Sequence, residues 1–365
     1  MKITIIGNNA HNGAVSDGGR IKIRLYKELL EKEGHLVNVI DLDGWKKHVF
    51  SIFSQIKRAI KEGNRIVVMA GPKGCRRIIP IVNHYNKKQK SKVVFCTLGV
   101  GTLDYLIKDL NSSDAQSFLH GNYSINNKDE KMGNLLKKLD FVVVENNLLK
   151  ERYESFYKLN NVVVLENFRD SKISPKEYDN SPNRLRIVYA SRIKGYKGTL
   201  DLMNAVVELN KLNNRSISLD MYGDYQLNDD ESAIFNKLMN DSNKLITYHG
   251  VISESQMLSE LKKYDLFCLP TKYHGEGTPG SLVESLIAGT PALVSSYSQA
   301  KELINNGVTG FIYEFGSYDD LKDKIQWILN NKSLLPSVGA EAQKMAVRFT
   351  YDGNKDMFLK VMVGE

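Results

Sequence analysis

The sequence predicts an α/β fold with two parallel-sheet domains, and two observations support this. Short runs rich in β-branched residues alternate with amphipathic helical stretches from one end of the chain to the other. This alternation is typical of parallel strands joined by crossover helices. The chain has 365 residues, of which 42% are hydrophobic, and at about 150 residues per domain this length is enough for two cores.

The first series of elements contains six predicted strands joined mainly by helices. Residues 111–130 are polar and have poor periodicity, which predicts a loop. The predicted strands are residues 2–6, 36–41, 65–70, 92–97, 141–144 and 162–165.

A change of composition at residues 170–183 separates the two series. This segment contains Pro175, Pro182, Asp179 and Asn180, a composition typical of linkers. We therefore place a domain boundary at residue 180, which gives an N-terminal domain of residues 1–180 and a second domain of residues 181–348.

The second series again alternates strands and helices, and it ends in successive helices. We expect the final segment, residues 349–365, to form a helix that packs back on the N-terminal domain. The predicted strands are residues 185–190, 216–222, 244–248, 265–269, 292–295 and 310–313, and the predicted terminal helices are residues 319–331, 337–348 and 352–363.

The net charge of +8 is unevenly distributed along the chain. Residues 1–180 contain 30 Lys and Arg against 20 Asp and Glu, whereas residues 181–365 contain 20 against 22. A basic N-terminal half could attract anionic phospholipid headgroups at a membrane or a phosphorylated substrate. The alternative is a solvated, lysine-rich surface. Nucleic-acid binding is disfavoured because no recognised nucleic-acid motif accompanies the charge.

Composition also excludes several classes of protein. The longest apolar runs are far shorter than the ~20 residues that cross a bilayer. The N-terminal residues read as a first strand and lack the pattern of a signal peptide. Three scattered cysteines, Cys75, Cys96 and Cys268, form no CxxC pair, so we expect neither a disulfide framework nor a zinc site. We expect a reducing, cytoplasmic location.

The strongest local signal is the segment HGEGTPGSLVESLIAGTPALVS, residues 274–295. Its glycine-rich start lies where a loop is predicted to enter a helix, with Pro279 suited to the first helical position. Amides of the first turn would point out of the positive end of the helix and favour an anion such as phosphate. The predicted anion site comprises Gly277, Thr278, Pro279, Gly280, Ser281 and Leu282.

Two glutamates flank this turn. Glu276 precedes it, and Glu284 follows eight residues later inside the predicted helix. Because a carboxylate directly beside a phosphate would repel it, we expect Glu276 and Glu284 to accept hydrogen bonds from sugar hydroxyls on either side. The alternative is an ordinary helix N-terminus with one loop glutamate and one exposed glutamate.

A second signal is RIVYASRIKGYKGTLDLMNA, residues 186–205, in which Arg192 and Lys197 follow a predicted strand end. Ligands of open α/β sheets bind outside the carboxyl ends of strands. Two cations there could neutralise a diphosphate, since Arg binds it bidentately and Lys acts as a point charge. Lys194 lies nearby, and we assign it no role in binding the diphosphate.

With these motifs the chain resembles a retaining glycosyltransferase of the GT-B fold, glycosyltransferase family 4. The spacing of Glu276 and Glu284 matches the family's E-x7-E motif, and SRIKGYKG matches its G-R-x…K-G phosphate element. Further matches are Gly18-Gly19, Tyr222-Gly223-Asp224, His249-Gly250-Val251, Ala288-Gly289-Thr290-Pro291 and Gly307-Val308-Thr309-Gly310-Phe311.

The resemblance implies two Rossmann-like domains facing a central cleft, with C-terminal helices. The N-terminal domain would bind the acceptor and the second domain the nucleotide sugar. Arg192 and Lys197 would hold the nucleotide diphosphate, Glu284 would bind the ribose, and Glu276 would contact the donor sugar. Arg192, Lys197 and Glu276 are thus the predicted catalytic residues.

Two further groups of residues receive donor-binding roles from the same resemblance. The backbone of His249, Gly250 and Val251 would meet the base. Gly18 and Gly19 would let the N-terminal domain close over the diphosphate and the sugar.

Two further features bear on the catalytic site. Many family members carry a histidine after the fourth strand, where this chain reads TLGVG at residues 97–101. His120 is a candidate substitute, although a histidine in a polar loop is commonly just solvated. Asp41 and Asp43 form an Asp-x-Asp pattern that would hold a metal in another transferase fold. Because they end a predicted strand, we interpret them as structural.

The implied activity is retaining, metal-independent hexosyl transfer without a cofactor. The donor would be a nucleotide-diphosphate sugar, UDP in preference to GDP, and the acceptor a hydroxyl of a glycan or lipid-linked saccharide in surface polysaccharide or glycoconjugate synthesis. A non-catalytic GT-B domain that binds a nucleotide sugar or glycan as a partner subunit is the alternative. A dinucleotide-dependent oxidoreductase is excluded because residues 7–13, GNNAHNG, lack G-x-G-x-x-G.

Overall fold

The computed structural model describes residues 1–9, 18–99, 101–103, 127–179, 181, 184–212 and 216–364. The chain divides into two compact units. Unit 1 comprises Met1–Asn167 together with Asn354–Glu365, and unit 2 comprises Phe168–Gly353.

Unit 1 is built on a six-stranded parallel sheet with the order β2-β1-β3-β4-β5-β6. Strands β3 and β4 are buried along their whole length, as expected for strands covered by helices on both faces. The strands are β1 (Lys2–Gly7), β2 (Leu36–Asp41), β3 (Arg65–Met69), β4 (Val93–Cys96), β5 (Phe141–Val144) and β6 (Val162–Val164). The helices are α1 (Gly18–Lys32), α2 (Val49–Lys61), α3 (Pro72–Tyr85), α4 (Asn127–Leu136) and α5 (Asn147–Tyr157).

Unit 2 contains a second six-stranded parallel sheet, with the order β12-β11-β10-β7-β8-β9. Its strands are β7 (Arg184–Ala190), β8 (Ser216–Tyr222), β9 (Ile246–Tyr248), β10 (Leu266–Leu269), β11 (Ala292–Ser295) and β12 (Gly310–Tyr313). Its helices are α6 (Thr199–Leu212), α7 (Asp229–Asp241), α8 (Glu254–Leu261), α9 (Gly280–Ala288), α10 (Ala300–Leu303), α11 (Tyr318–Asn330) and α12 (Leu335–Ala346).

The last helix, α13 (Tyr351–Met362), spans the point where the chain passes from unit 2 back to unit 1. Within unit 1, the Phe358 ring packs edge-on against Tyr26 at a centroid distance of 5.0 Å. Lys355 pairs at 2.7 Å with Glu33, the residue that follows α1. These contacts join the chain terminus to the first helix of the same unit.

The segment after Phe168 belongs to unit 2, so the expected boundary at residue 180 falls inside that unit. The physical reason is its hydrogen bonding. The Lys176 ammonium donates to the Tyr264 carbonyl and, at 2.7 Å, to the Thr290 hydroxyl. The Tyr178 hydroxyl donates to the Gly289 carbonyl. Linker-like composition therefore accompanies a segment without helix or strand that side-chain hydrogen bonds hold within unit 2.

All twelve strands predicted from the sequence are present among the described residues, with ends within two residues of the prediction. The loop predicted at residues 111–130 is wrong at its end, because α4 begins at Asn127. Residues 104–126 lie outside the described part of the chain. No described helix is long and apolar enough to cross a membrane.

Candidate functional site

The candidate site in unit 2 lies where the strand order of the sheet reverses. Strands β7 and β10 are neighbours although they are far apart in sequence. Later strands then extend the sheet in opposite directions from this pair. Such switch points leave a crevice at the carboxyl ends of the strands, where α/β proteins bind ligands. The loop after β7 carries Arg192 and Lys197, and the loop after β10 carries Glu276.

A buried ion pair joins these two loops. The Lys197 ammonium lies 2.5 Å from Glu276 Oε2, and the Thr271 hydroxyl donates to the same oxygen at 2.9 Å. Lys197 is 5% exposed and Glu276 is 8% exposed. Buried charges persist in proteins when they are paired and hydrogen-bonded. The structure thus brings two of the predicted catalytic residues into direct contact with each other.

A glycine turn makes this contact possible. Lys197 ends a 3₁₀ turn, Gly195–Lys197, and Gly198 follows with a φ of 73°. A Cβ atom at Gly198 would lie 1.9 Å from the Pro270 carbonyl oxygen. Only glycine therefore lets the chain take the left-handed conformation this close to the end of β10.

Arg192, in contrast, has an exposed side chain. Its backbone carbonyl accepts a 2.7 Å hydrogen bond from the Tyr189 hydroxyl. Burial raises the pKa of Tyr189, which keeps this hydroxyl protonated as a donor. No salt bridge joins Arg192 to a carboxylate within the described ranges, so its charge is available to an anion at the switch point.

Helix α9 begins beside the buried pair. Pro279 is the N-cap residue rather than the first helical residue, so that predicted position is wrong by one. The helix starts at Gly280, and no side chain caps it. A proline N-cap has no side-chain oxygen with which to accept from the first amides. This helix N-terminus therefore keeps its positive end open to an anion.

Arg169 is a site residue that the sequence analysis missed. Its Nε donates to Glu284 Oε1 at 2.7 Å, and a Cβ atom at Gly280 would lie 1.9 Å from its Nη2 atom. Its backbone is fixed by hydrogen bonds from its amide to the Phe349 carbonyl and from the Tyr351 amide to its carbonyl. The guanidinium thus lies against the start of α9, with Glu284 as its counter-charge.

Both predicted glutamates are buried, since Glu276 is 8% exposed and Glu284 is 7% exposed. This observation argues against the reading of an ordinary helix N-terminus with an exposed glutamate. Two cation–carboxylate pairs, Lys197 with Glu276 and Arg169 with Glu284, instead flank the first turn of α9. Each pair is neutral overall, so the uncapped end of α9 keeps its positive partial charge beside them.

Two of the three predicted base-binding residues, His249 and Val251, line a cavity. The His249 ring stacks on Tyr222 at a centroid distance of 4.7 Å, and its Nε2 lies 2.5 Å from Asp220 Oδ1. His249 and Val251 contribute to the wall of a cavity of about 350 Å³. The Gly250 carbonyl accepts from the Gly223 amide at 2.8 Å, which fixes the loop after β9 against the end of β8.

The remaining predicted residues lie in unit 1. Gly18 and Gly19 are the first two residues of α1. Asp41 Oδ1 accepts from the amides of Asn9 and Asp43. Arg20 pairs with Asp43 at 3.2 Å. These hydrogen bonds and this pair order a loop, in line with the structural interpretation of the two aspartates. His120 and Val100 lie outside the described residues.

A family model covers most of unit 2. Residues 170–345 match the model Glycosyl transferases group 1. This match includes Arg192, Lys197, Glu276 and Glu284 and begins one residue after Arg169.

Two curated relatives carry glycosyltransferase names. An uncharacterized glycosyltransferase of Methanocaldococcus jannaschii is 23% identical over 234 residues, which are 59% of this chain and 56% of that protein. The capsular polysaccharide biosynthesis glycosyltransferase CapM of Staphylococcus aureus is 23% identical over 214 residues, 57% of this chain and 54% of that protein. The chain thus spans about half the length of these relatives.

Solved structures show the fold. The crystal structure of Anabaena HepE in complex with UDP-glucose has a TM-score of 0.72 and 14% identity, and the alignment covers 100% of both chains. The two parallel sheets with their helices therefore form the α/β fold of GT-B glycosyltransferase structures.

Proposed function

We propose that this chain is a retaining glycosyltransferase of family 4 that moves a hexosyl group from a nucleotide-diphosphate sugar to a hydroxyl acceptor. The observation that carries the proposal is the first turn of α9, an uncapped helix N-terminus at a topological switch point. Lys197 and Arg169 lie beside it, each paired with a buried carboxylate. Phosphate binds at such a helix end, and carboxylates beside it can accept hydrogen bonds from sugar hydroxyls.

In this proposal the chain acts by charge and position. Arg192 and Lys197 bind the diphosphate, together with the amides of Gly280 to Leu282, and stabilise the negative charge that develops as the donor bond breaks. Glu284 binds the ribose. Glu276 contacts the sugar, and the leaving phosphate helps to deprotonate the acceptor hydroxyl. The switch point holds these groups in place before the donor arrives.

The donor we propose is a UDP-sugar. HepE, which shares the fold, has been crystallised with UDP-glucose. In this chain, the cavity bordered by Tyr222, His249 and Val251 lies at the carboxyl ends of β8 and β9, and we assign the base to this region.

The acceptor we propose is a glycan or lipid-linked saccharide of a surface polysaccharide, bound by unit 1. The name of CapM places that relative in capsular polysaccharide biosynthesis. We further propose a cytoplasmic location with peripheral contact at an anionic membrane. The basic first half of the chain supports this contact, with 30 Lys and Arg against 20 Asp and Glu in residues 1–180.

A panel of nucleotide sugars tests the proposal directly. Thermal stabilisation identifies the donor, because a ligand of the folded state raises the melting temperature by mass action. Product analysis then follows transfer and the anomeric configuration. We expect one UDP-sugar to stabilise the chain and to give a product that retains configuration. Stabilisation without transfer or donor hydrolysis would favour the non-catalytic alternative, and inversion would overturn the assignment to family 4.

Metal independence needs its own assay. We expect transfer to persist in EDTA, because Arg192 and Lys197 supply the positive charge that a metal would otherwise provide. Complete loss on chelation with rescue by manganese would contradict this part of the proposal.

A further inference from the structure

One exposed aromatic side chain in unit 1 has no evident structural role. Phe50, the second residue of α2, is 91% exposed, the highest value among the large hydrophobic side chains of the described residues. Burial of a phenylalanine side chain is normally favourable. Lys46 and Lys47, which lie in the 3₁₀ turn Trp45–Lys47 just before α2, are also exposed.

The surroundings of Phe50 carry an unusual excess of positive charge. Residues 44–103 contain thirteen Lys and Arg and a single acidic residue, Glu62. Glu62 is itself paired with Arg58 at 2.8 Å and approaches Lys2 at 3.8 Å. Outside this stretch, the nearby Asp43 pairs with Arg20. Lys92, farther along the stretch, pairs with Asp140 at 3.0 Å. Within the part of the chain that the structure describes, no carboxylate pairs with Lys46, Lys47 or Arg77, so these three cations present a positive surface.

This surface is held rigidly on the sheet. The Arg77 guanidinium of α3 stacks on the Trp45 ring, with its carbon 4.6 Å from the ring centroid. Trp45 packs against the core of unit 1. The 3₁₀ turn Trp45–Lys47 follows β2, so it lies at the carboxyl edge of the parallel sheet, where open α/β sheets bind ligands. We call the group Trp45, Lys46, Lys47, Phe50 and Arg77 the basic aromatic surface.

We propose that the basic aromatic surface docks on a lipid bilayer that contains anionic headgroups. Lys46 and Lys47 contact the headgroups and Phe50 enters the boundary between headgroups and acyl chains. Basic side chains attract anionic headgroups, and an exposed aromatic side chain beside them can be buried at the boundary between headgroups and acyl chains. A soluble polyanion would satisfy the lysines and give Phe50 no apolar environment, so the combination favours a bilayer. This inference deepens the membrane contact named in the proposed function and would bring a lipid-linked acceptor to the carboxyl edge of the sheet.

Vesicle sedimentation of the full chain tests the docking surface. The probes are vesicles of phosphatidylcholine alone and of phosphatidylcholine with phosphatidylglycerol. We expect binding only to the anionic vesicles and weakening with salt, since exposed charges are screened. The double change Lys46→Gln with Lys47→Gln should lower the partition coefficient for anionic vesicles roughly thirty-fold, because each lost cation lowers it by a factor of about five. Phe50→Ser should lower it about tenfold.

Matched controls distinguish this surface from a general charge effect. Lys137 and Lys138 are also exposed, but they precede β5 and so lie at the opposite edge of the same sheet. Their double change to Gln should leave vesicle binding nearly unchanged. Leu212, which is 76% exposed in unit 2, provides the apolar control as Leu212→Ser.

Three results would overturn the inference. The first is equal binding of the chain to both kinds of vesicle. The second is an equal loss of vesicle binding in the Lys46/Lys47 and Lys137/Lys138 double variants. The third is unchanged vesicle binding of Phe50→Ser together with tight binding of the chain to dextran sulfate. The last result would assign the surface to a soluble polyanion. Thermal unfolding of each variant checks that it is folded. Because sedimentation needs no donor, its failure would leave the proposed sugar transfer standing, and a failure of transfer would leave the docking result intact.

Discussion

The buried pair of Lys197 and Glu276 gives the sharpest test of the site, through the change Glu276→Gln. The side chains of this pair are 6% and 10% exposed, and their charged atoms lie 2.5 Å apart. Glutamine keeps the shape and a hydrogen-bond acceptor but removes the negative charge. The change therefore leaves a buried ammonium without its carboxylate, and such a charge is costly in the protein interior.

The expected loss in the free energy of unfolding is about 3 kcal/mol, the lower end of the range for breaking a buried pair. For a unit of this size, about 2–4 °C per kcal/mol gives a fall of roughly 6–12 °C in melting temperature. Calorimetry measures this value directly. Glu341→Gln is the matched control, because Glu341 pairs with Lys344 on the surface of the same unit, with side chains 46% and 72% exposed. We expect little change there.

Nucleotide diphosphate supplies the second arm of this experiment. If the diphosphate binds Lys197, it restores the missing negative charge, so UDP should stabilise Glu276→Gln more than it stabilises the wild type. Turnover should fall, because the change alters the group that we propose contacts the donor sugar. An unaltered melting temperature would refute the energetic reasoning. A weaker effect of UDP on the variant than on the wild type would refute the assignment of Lys197 to the diphosphate.

Three further predictions follow from the same contacts. Arg192→Ala and Lys197→Ala should each weaken UDP binding by about 1.5–3 kcal/mol in calorimetric titration. Only Lys197→Ala should also lower the melting temperature. UDP affinity equal to that of the wild type in both variants would contradict the diphosphate site. Arg169→Ala should weaken UDP binding as Glu284→Gln does, and Arg169→Lys should restore part of that binding. If the losses in UDP binding free energy add in the variant that carries both Arg169→Ala and Glu284→Gln, the two side chains are not coupled. Burial lowers the pKa of Lys176 from 10.5 to about 7. Between these pH values the unfolded chain holds a proton that the folded chain lacks, so the free energy of unfolding rises with pH. Lys176→Met should flatten that rise in denaturant titrations at several pH values, whereas parallel stability curves for variant and wild type would contradict the pKa shift.

The strands were predictable because their signal is local. A buried parallel strand is a short run of β-branched residues, and β3 (Arg65–Met69) and β11 (Ala292–Ser295) show this directly. The order of the strands in each sheet is not local, since it depends on which buried faces pair across the chain. The adjacency of β7 and β10, which creates the candidate site, is therefore a result of the structure.

Arg169 shows the same limit for a single residue. It lies one residue before a stretch of linker composition, and no motif marks it. Its contact with Glu284 joins residues 115 positions apart. The one available signal was an arginine beside an aspartate at the end of the first series of strands, and that signal is common in surface loops. Only the backbone pairing of Arg169 with the segment Phe349–Tyr351 brings its guanidinium to α9.

Motif spacing identified the charged residues of the site but not their partners. Lys197 and Glu276 were each assigned to a ligand, a phosphate and a sugar hydroxyl, yet the structure joins them to each other. A buried cation and a buried carboxylate at one switch point stabilise each other more than either would be stabilised alone, because separation leaves two uncompensated charges. A diphosphate at Lys197 must therefore compete with Glu276 or share the ammonium with it. Competition would release Glu276 toward the sugar as the donor binds, which makes the response of Glu276→Gln to UDP the measurement that distinguishes the two arrangements.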